Sequence, residues 1–175
     1  TETSYQNLLY SVGSSFLGTR RHLIKNIRRA VDRGQINIAI AGGSVSTGAG
    51  CRDDDDDTAR QYVNFFTQRL KSLVGNSTKV TVLNLAQGAS GPDRVYFCLD
   101  ELSSDAQNLD ILILEYAINE KGGSWSELLI RRMPDVAIIF LESFSNRTRF
   151  NNAQQYHDTL ARYYDLPLLS MRDAL

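Results

Sequence analysis

Short, continuously apolar runs alternate along this chain with longer stretches whose apolar residues recur at helical spacing. Ile36-Asn37-Ile38-Ala39-Ile40-Ala41 reads as a buried strand over 36–41. Ahead of it, Leu23, Ile24, Ile27, Ala30 and Val31 recur at helical intervals among basic residues, and Gly34 supplies the C-cap. A helix over 58–73 places Tyr62, Phe65, Phe66, Leu70 and Leu73 on one face and stops at Gly75. Further strands are predicted over 80–85, 110–116, 136–141 and 166–169. Helices are predicted over 93–102 and 153–164. Another carries Trp125, Leu128, Leu129 and Met133 and is ended by Pro134.

Strands that are apolar throughout and separated by helices indicate a parallel sheet covered on both faces. The expected fold is therefore a three-layer α/β domain with a flavodoxin-like parallel sheet, order 2-1-3-4-5, and helices on both faces. Right-handed crossovers place every strand-to-helix loop on the same sheet edge. In that order the second and third strands flank the first, so the loops after all three converge.

Those loops carry the candidate chemistry. The first strand runs into Gly42-Gly43-Ser44, which presents a hydroxyl at the carboxyl edge beside glycines that leave room for a ligand. An ordinary strand-to-helix turn accounts for the same residues equally well. After the second strand comes Leu85-Ala86-Gln87-Gly88-Ala89-Ser90-Gly91, and after the third Glu115-Tyr116-Ala117-Ile118-Asn119-Glu120. A hydroxyl, a glycine-rich backbone and a side-chain amide are the parts that acyl transfer needs, a nucleophile with N–H donors aimed at the oxyanion.

These three blocks resemble those of the SGNH hydrolases, the GDSL-type esterases. Gly42-Gly43-Ser44-Val45-Ser46 is similar to the first block, with Gly43 where the usual aspartate stands. Asn84 to Gly91 resembles the second block, which supplies an oxyanion glycine. Gly88 is favoured because Gly88-Ala89-Ser90 fits the glycine-x-serine/threonine pattern, and Gly91 is the alternative. Leu114 to Glu120 resembles the third block, whose asparagine would be Asn119. The resemblance spans nearly the whole chain, most closely the branch with Gly-Gly-Ser in its first block. It implies a serine esterase acting on an acyl or acetyl ester of a carbohydrate or lipid. Ser44 would be the nucleophile, the Ser44 amide, Gly88 and Asn119 the oxyanion hole, and neither metal nor organic cofactor would be needed. It also suggests a secretory or membrane-associated setting.

One block of that pattern is missing. The resemblance implies a histidine base in an Asp-x-x-His motif after the fifth strand, and this chain stops just after that strand. The chain also begins at Thr1 without methionine. Residues 1–175 are therefore read as a single domain of this type lacking its C-terminus, and little or no esterase activity is expected of them alone. His22 lies on the early basic helix, away from the carboxyl edge. His157 lacks an aspartate three residues before it and is read as a solvated helix position rather than a base.

Composition removes several other classes. A hydrophobic content of 42% excludes a disordered chain, and a net charge of −1 gives no footprint for nucleic acid. No apolar run is long enough to span a bilayer. Cys51 and Cys98 are read as two buried thiols, although a disulfide between them stays open. Asn76-Ser77-Thr78 and Asn146-Arg147-Thr148 match the glycosylation pattern. Asp53 to Asp57 lacks the spaced ligands of a calcium loop and reads as a solvated turn favoured by a helix dipole. Gly48 and Gly50 form no phosphate-binding motif. Arg131, Arg132, Arg147 and Arg149 read as solvated, and Trp125 with Leu128 and Leu129 as core. Glu115, ending a buried strand, needs a partner, by default in the first-block loop. Two alternatives to the esterase stand: a non-catalytic carbohydrate- or ligand-binding module on the same fold, and a flavodoxin-like nucleotide or flavin binder.

Overall fold

The computed structural model describes residues 13–49, 62–75, 77–99, 108–144 and 153–174. Five strands form one parallel sheet: β1 (Gln35–Gly42), β2 (Lys79–Asn84), β3 (Ile111–Glu115), β4 (Ala137–Glu142) and β5 (Leu168–Ser170). Their order is β2-β1-β3-β4-β5, as the alternation of apolar runs predicts. Among the described residues the helices include α1 (Arg21–Asp32), α2 (Tyr62–Val74), α3 (Pro92–Cys98), α4 (Ser124–Arg132) and α5 (Gln154–Tyr164).

Every residue of β3 is buried, as is every residue of β1 after Gln35. Strands covered on both faces need apolar side chains at both odd and even positions, which is why these runs do not alternate. One core joins Ala39, Ala41, Leu112, Leu114, Ile138 and Phe140 to α3, α4 and α5. The other joins Ile36, Ile38, Ile40, Ile111 and Ile113 to α1 and α2. The register sets the rim. Gly42 stands opposite Glu115 on one side. On the other, the ladder continues past β2 through Leu85 N–H to Ile40 and Gln87 N–H to Gly42, at 2.8 and 3.0 Å. All three loops therefore leave the sheet at one level.

The amino edge is held differently. Buried Asp110 accepts from the Asn37 N–H at 2.9 Å and from Arg33 at 2.7 Å. Gly34, at φ 74°, closes α1 in the left-handed region that glycine tolerates. Asp165, just past α5, accepts from the Thr19 N–H, and Phe16 forms an antiparallel bridge to Leu168. These contacts strap the segment before α1 along the open side of β5.

Three expectations about helix faces are corrected. On α1 the buried residues are Asn26 and Ala30, while Ile24, Ile27 and Val31 are exposed. Asn26 tolerates burial because its amide donates to the His22 carbonyl and accepts from Arg29. On α2, Tyr62, Phe66 and Leu70 pack beside buried Val63, but Phe65 and Leu73 face outward. On α4, Leu129 is core whereas Trp125 and Leu128 lie at the surface. There Trp125 meets Phe97 at 5.3 Å between ring centroids. The expected helix over 93–102 is described only to Cys98, and residues 58–61 of the expected second helix lie outside the described residues. Also outside are Gly50, Cys51, Asp53 to Asp57, Asn76, Asn146, Arg147 and Arg149. Cys98 is half-buried and carries a free thiol. No helix among the described residues is long and apolar enough to cross a membrane.

The packing predicts a contrast between two leucines. Leu114 is wholly buried and Leu73 is 68% exposed. Leu114→Ala is expected to cost about 2–5 kcal/mol in urea unfolding, and Leu73→Ala less than about 0.5 kcal/mol. Equal losses would contradict the assignment of the core.

Candidate active site

Beyond Gly42 the chain turns at once. Thr47 N–H donates to the Gly43 carbonyl, and Ala49 N–H to the Ser44 carbonyl at 3.0 Å. The Thr47 hydroxyl donates to the same Ser44 carbonyl. This tight helical turn sets half-buried Ser44 in its first position, where N–H groups have no partner inside the turn. Ser46, one step deeper, is fully buried.

Three neighbours pin the turn. Asn84 donates its side-chain amide to the Ser46 carbonyl at 3.1 Å. The Ser46 hydroxyl donates to Glu115 at 2.9 Å and shares a 2.6 Å bond with the Tyr62 hydroxyl. Glu115 also accepts from Ser143, which follows β4. The expectation of a bond between Glu115 and the first-block loop is thus met. Burial pushes the Glu115 carboxyl above its ordinary value, against the pull of bonds from Ser143, Ser46 and the Gly43 and Ser46 N–H groups. Tyr62 is pushed up to about 12, chiefly by burial. An apolar groove of about 490 Å³ opens beside Val45, lined by Tyr62, Leu141, Leu169 and Met171.

Gly43 has a specific steric role. A Cβ there would stand 2.1 Å from the Asn119 carboxamide. The position that carries aspartate in the resembled pattern is here kept free of a side chain, and Asn119 lies in that space. A Cβ on Gly42 would likewise meet the Ser46 hydroxyl at 2.3 Å. The structure thus brings Asn119 against the backbone that carries Ser44. The two candidate glycines differ. Gly88 stands on an exposed turn, where a Cβ would meet nothing within 4 Å, one residue past Gln87, which bonds to Gly42. Gly91 opens α3, and a Cβ there would come 4.0 Å from the Asn119 carbonyl.

The Asn119 loop is itself tightly held. Both Asn119 and Glu120 N–H groups donate to the Tyr116 carbonyl, at 3.0 and 2.9 Å. The Glu120 carboxylate then accepts from the Trp125 and Ser126 N–H groups and from the Ser126 hydroxyl, capping α4 with negative charge. Its second oxygen lies 2.8 Å from His157 Nε2, while His157 Nδ1 lies 2.8 Å from Glu142. The imidazole stacks on Phe140 at 4.7 Å and has no exposed surface.

His157 is therefore not a solvated helix position, and this expectation is corrected. Its helix turns it inward because two carboxylates, from the β3–α4 loop and from β4, converge there. Burial alone would discourage the imidazolium, but the bonds and charges of Glu120 and Glu142 outweigh it and push the pKa up to about 9. Burial alone would likewise raise the Glu120 carboxyl, yet bonds from His157 and Ser126 and the His157 charge bring it below its ordinary value. His22 is the second residue of α1, which follows the Thr19–Asp165 contact at the amino edge. Among the described residues no cluster of three or more histidines, cysteines, aspartates and glutamates is arranged to hold a metal ion. Ser46, Tyr62, Ser143, Glu142 and His157 are the residues of this region that sequence reasoning missed or misplaced.

The His157 cluster yields a pH prediction. A histidine pKa raised from 6.5 to about 9 on folding contributes stability that is complete below about 6.5 and is lost as pH rises through about 9. Thermal unfolding between pH 6 and 10 is expected to show this loss in the native protein and to show it diminished in His157→Gln. The same alkaline slope in both proteins would contradict the assignment.

No sequence-family profile matches the chain, and no curated protein matches it by sequence. Solved structures do resemble it. A two-domain esterase (CEX) active on acetylated mannans superposes with a TM-score of 0.75 at 23% identity over 94% of this chain. The chain spans 44% of the length of that protein. TesA superposes at a TM-score of 0.56 and 14% identity, over 75% of this chain and 76% of its own. A catalytic mutant of Axe2, an acetylxylan esterase from Geobacillus stearothermophilus, gives 0.52 at 16% identity, over 75% and 74%. At these identities the likeness is one of fold. The five-stranded parallel sheet of this chain, with helices on both faces, is similar to the one these esterases are built on.

Proposed function

We propose that this chain carries the nucleophile and oxyanion site of a serine esterase acting on an acyl or acetyl ester of a carbohydrate or lipid. The observation that carries the reading is the packing of the Asn119 carboxamide against Gly43, next to half-buried Ser44 at the sheet's carboxyl rim. The acetylated mannans and acetylxylan named for the structural neighbours support a carbohydrate ester.

In this reading the Ser44 hydroxyl oxygen attacks the ester carbon and its proton passes to a base. The carbonyl oxygen becomes an oxyanion, stabilised by the Ser44 N–H, the Asn119 side-chain amide and the Gly88 N–H, with Gly91 as the alternative. Collapse expels the alcohol with a proton and leaves an acyl group on Ser44, and water then releases the acid and restores the hydroxyl. Neither histidine of the chain suits the base. His22 is at the wrong edge, and His157 holds its proton between two carboxylates up to about pH 9. We assign the base to a part of the protein outside these 175 residues. The same lack favours the second reading, a binding module that keeps the fold without turnover.

Hydrolysis of p-nitrophenyl acetate tests the proposal. The whole protein is expected to be active and residues 1–175 alone nearly inactive. Ser44→Ala is expected to abolish turnover, and Asn119→Ala to lower kcat on the order of a hundredfold. Gly43→Ala should approach the Asn119→Ala loss, because the new methyl displaces the carboxamide. Full activity in Ser44→Ala would overturn the proposal, and an inactive whole protein would favour the binding module.

A further inference from the structure

The Glu120–His157–Glu142 cluster touches none of the groups assigned to the reaction, yet it is built into the loop that presents Asn119. Glu120 follows Asn119 directly, and the two share the Tyr116 carbonyl as acceptor. With only that carbonyl holding it, the turn could pivot about the end of β3. Two further attachments prevent this. Glu120 is bonded to the first turn of α4, and His157 ties the same carboxylate to α5 and, through Glu142, to the end of β4. The start of α5 is fixed to the loop as well, since Ala153 N–H donates to the Ala117 carbonyl at 2.7 Å and His157 N–H donates to the Ala153 carbonyl at 3.0 Å.

We infer that His157 is a positioning residue, whose bridge between Glu120 and Glu142 sets where the Asn119 carboxamide lies against Gly43. The inference rests on the esterase reading for its effect on rate, but its structural half stands apart from activity.

The chemistry favours a charged bridge over a neutral one. Two carboxylates and one ring meet in a site with no exposed surface on the imidazole. A neutral imidazole has one N–H and could donate to only one carboxylate, leaving the other facing a lone pair. The imidazolium donates to both. Among the described residues Glu142 Oε2 is buried without a hydrogen-bond partner, so the protonated ring also supplies compensating charge for that carboxylate, at 2.8 Å from its other oxygen. Glu120 has additional support from α4. Among the described residues the groups facing the ring are Glu120 from the β3–α4 loop, Glu142 and Phe140 from β4, and Ser126 from α4 at 3.5 Å. Among these only Glu120 and Glu142 are acidic, and both favour the proton on His157. Loss of that proton leaves two carboxylates with a single N–H between them, and the expected response is movement of Glu120 and of the adjoining Asn119.

A displacement of about 1 Å in a catalytic group can cost on the order of a hundredfold in rate. His157→Gln in the whole protein is expected to lower kcat roughly tenfold to a hundredfold, with KM changed by less than about twofold. In an Asn119→Ala background the same substitution should lower kcat little further, because its route to the reaction is gone. Equal losses in both backgrounds would overturn the positioning role. Residues 1–175 supply a readout that does not need turnover, the side-chain 1H–15N amide pair of Asn119, identified by its disappearance in Asn119→Ala. That pair is expected to be dispersed at pH 7 and to move toward solvent-exposed values as pH rises through about 9. The movement should be already complete at pH 7 in His157→Gln. An Asn119 pair that ignores both pH and substitution would refute the inference. Should His157→Gln fail to fold, Glu142→Gln and the pH series on the native chain give the same test. An inactive Ser44 with an Asn119 pair that still responds to His157 would sink the esterase reading and leave the positioning role intact.

Discussion

The constraint on which the site depends is the shared level at which three parallel strands end. Gly42 pairs with Glu115 on one side, and the ladder reaches Gln87 on the other. Parallel pairing and right-handed crossovers force the three following loops onto the same edge, and equal strand ends bring them to the same height. From that point the contents of the loops decide the chemistry. A turn opening on two glycines admits a neighbouring side chain to the backbone, and Asn119 takes that space.

Holding polar loops at a buried rim requires buried charge, and the protein places two carboxylates beneath it. Glu115 lies under the Ser44 turn and is surrounded by hydroxyl and N–H donors, with burial raising its pKa. Glu120 lies under the Asn119 loop and is met by a helix terminus and an imidazolium, which bring its pKa below the ordinary value. Two carboxylates, one ending β3 and one in the loop that follows it, are thus driven in opposite directions by their partners. The first is stabilised by neutral donors alone, the second by full and partial positive charge. Glu115 accepts from the backbone N–H groups of Gly43 and Ser46, and Glu120 from those of Trp125 and Ser126.

Much of the fold was legible in the sequence. Continuous apolar runs such as that of β1, broken by helical spacing, led to a parallel sheet and its strand order. The glycines and serine after β1 and the asparagine after β3 marked the rim. Side-chain facing was less legible. On α1 the apolar stripe does not decide packing, because Asn26 satisfies its amide within the helix and can be buried beside Ala30. On α4, the bonds that Glu120 accepts from the Trp125 and Ser126 N–H groups accompany an orientation that turns Ser126, Leu129 and Ile130 inward and leaves Trp125 at the surface. The burial of His157 is not legible locally, because its partners Glu120 and Glu142 lie far from it in sequence. Local pattern shows a histidine between polar neighbours, and only the folded sheet brings two glutamates to it.

The central claim is that the Ser44 hydroxyl is a nucleophile presented where three strand ends meet. Its most direct measurement is intact-mass and peptide analysis of the whole protein after treatment with a fluorophosphonate, which phosphonylates an activated serine. The account predicts a single adduct on Ser44, with the rate of labelling reduced in Asn119→Ala. Complete labelling at another serine, or none in a protein that turns over p-nitrophenyl acetate, would contradict it.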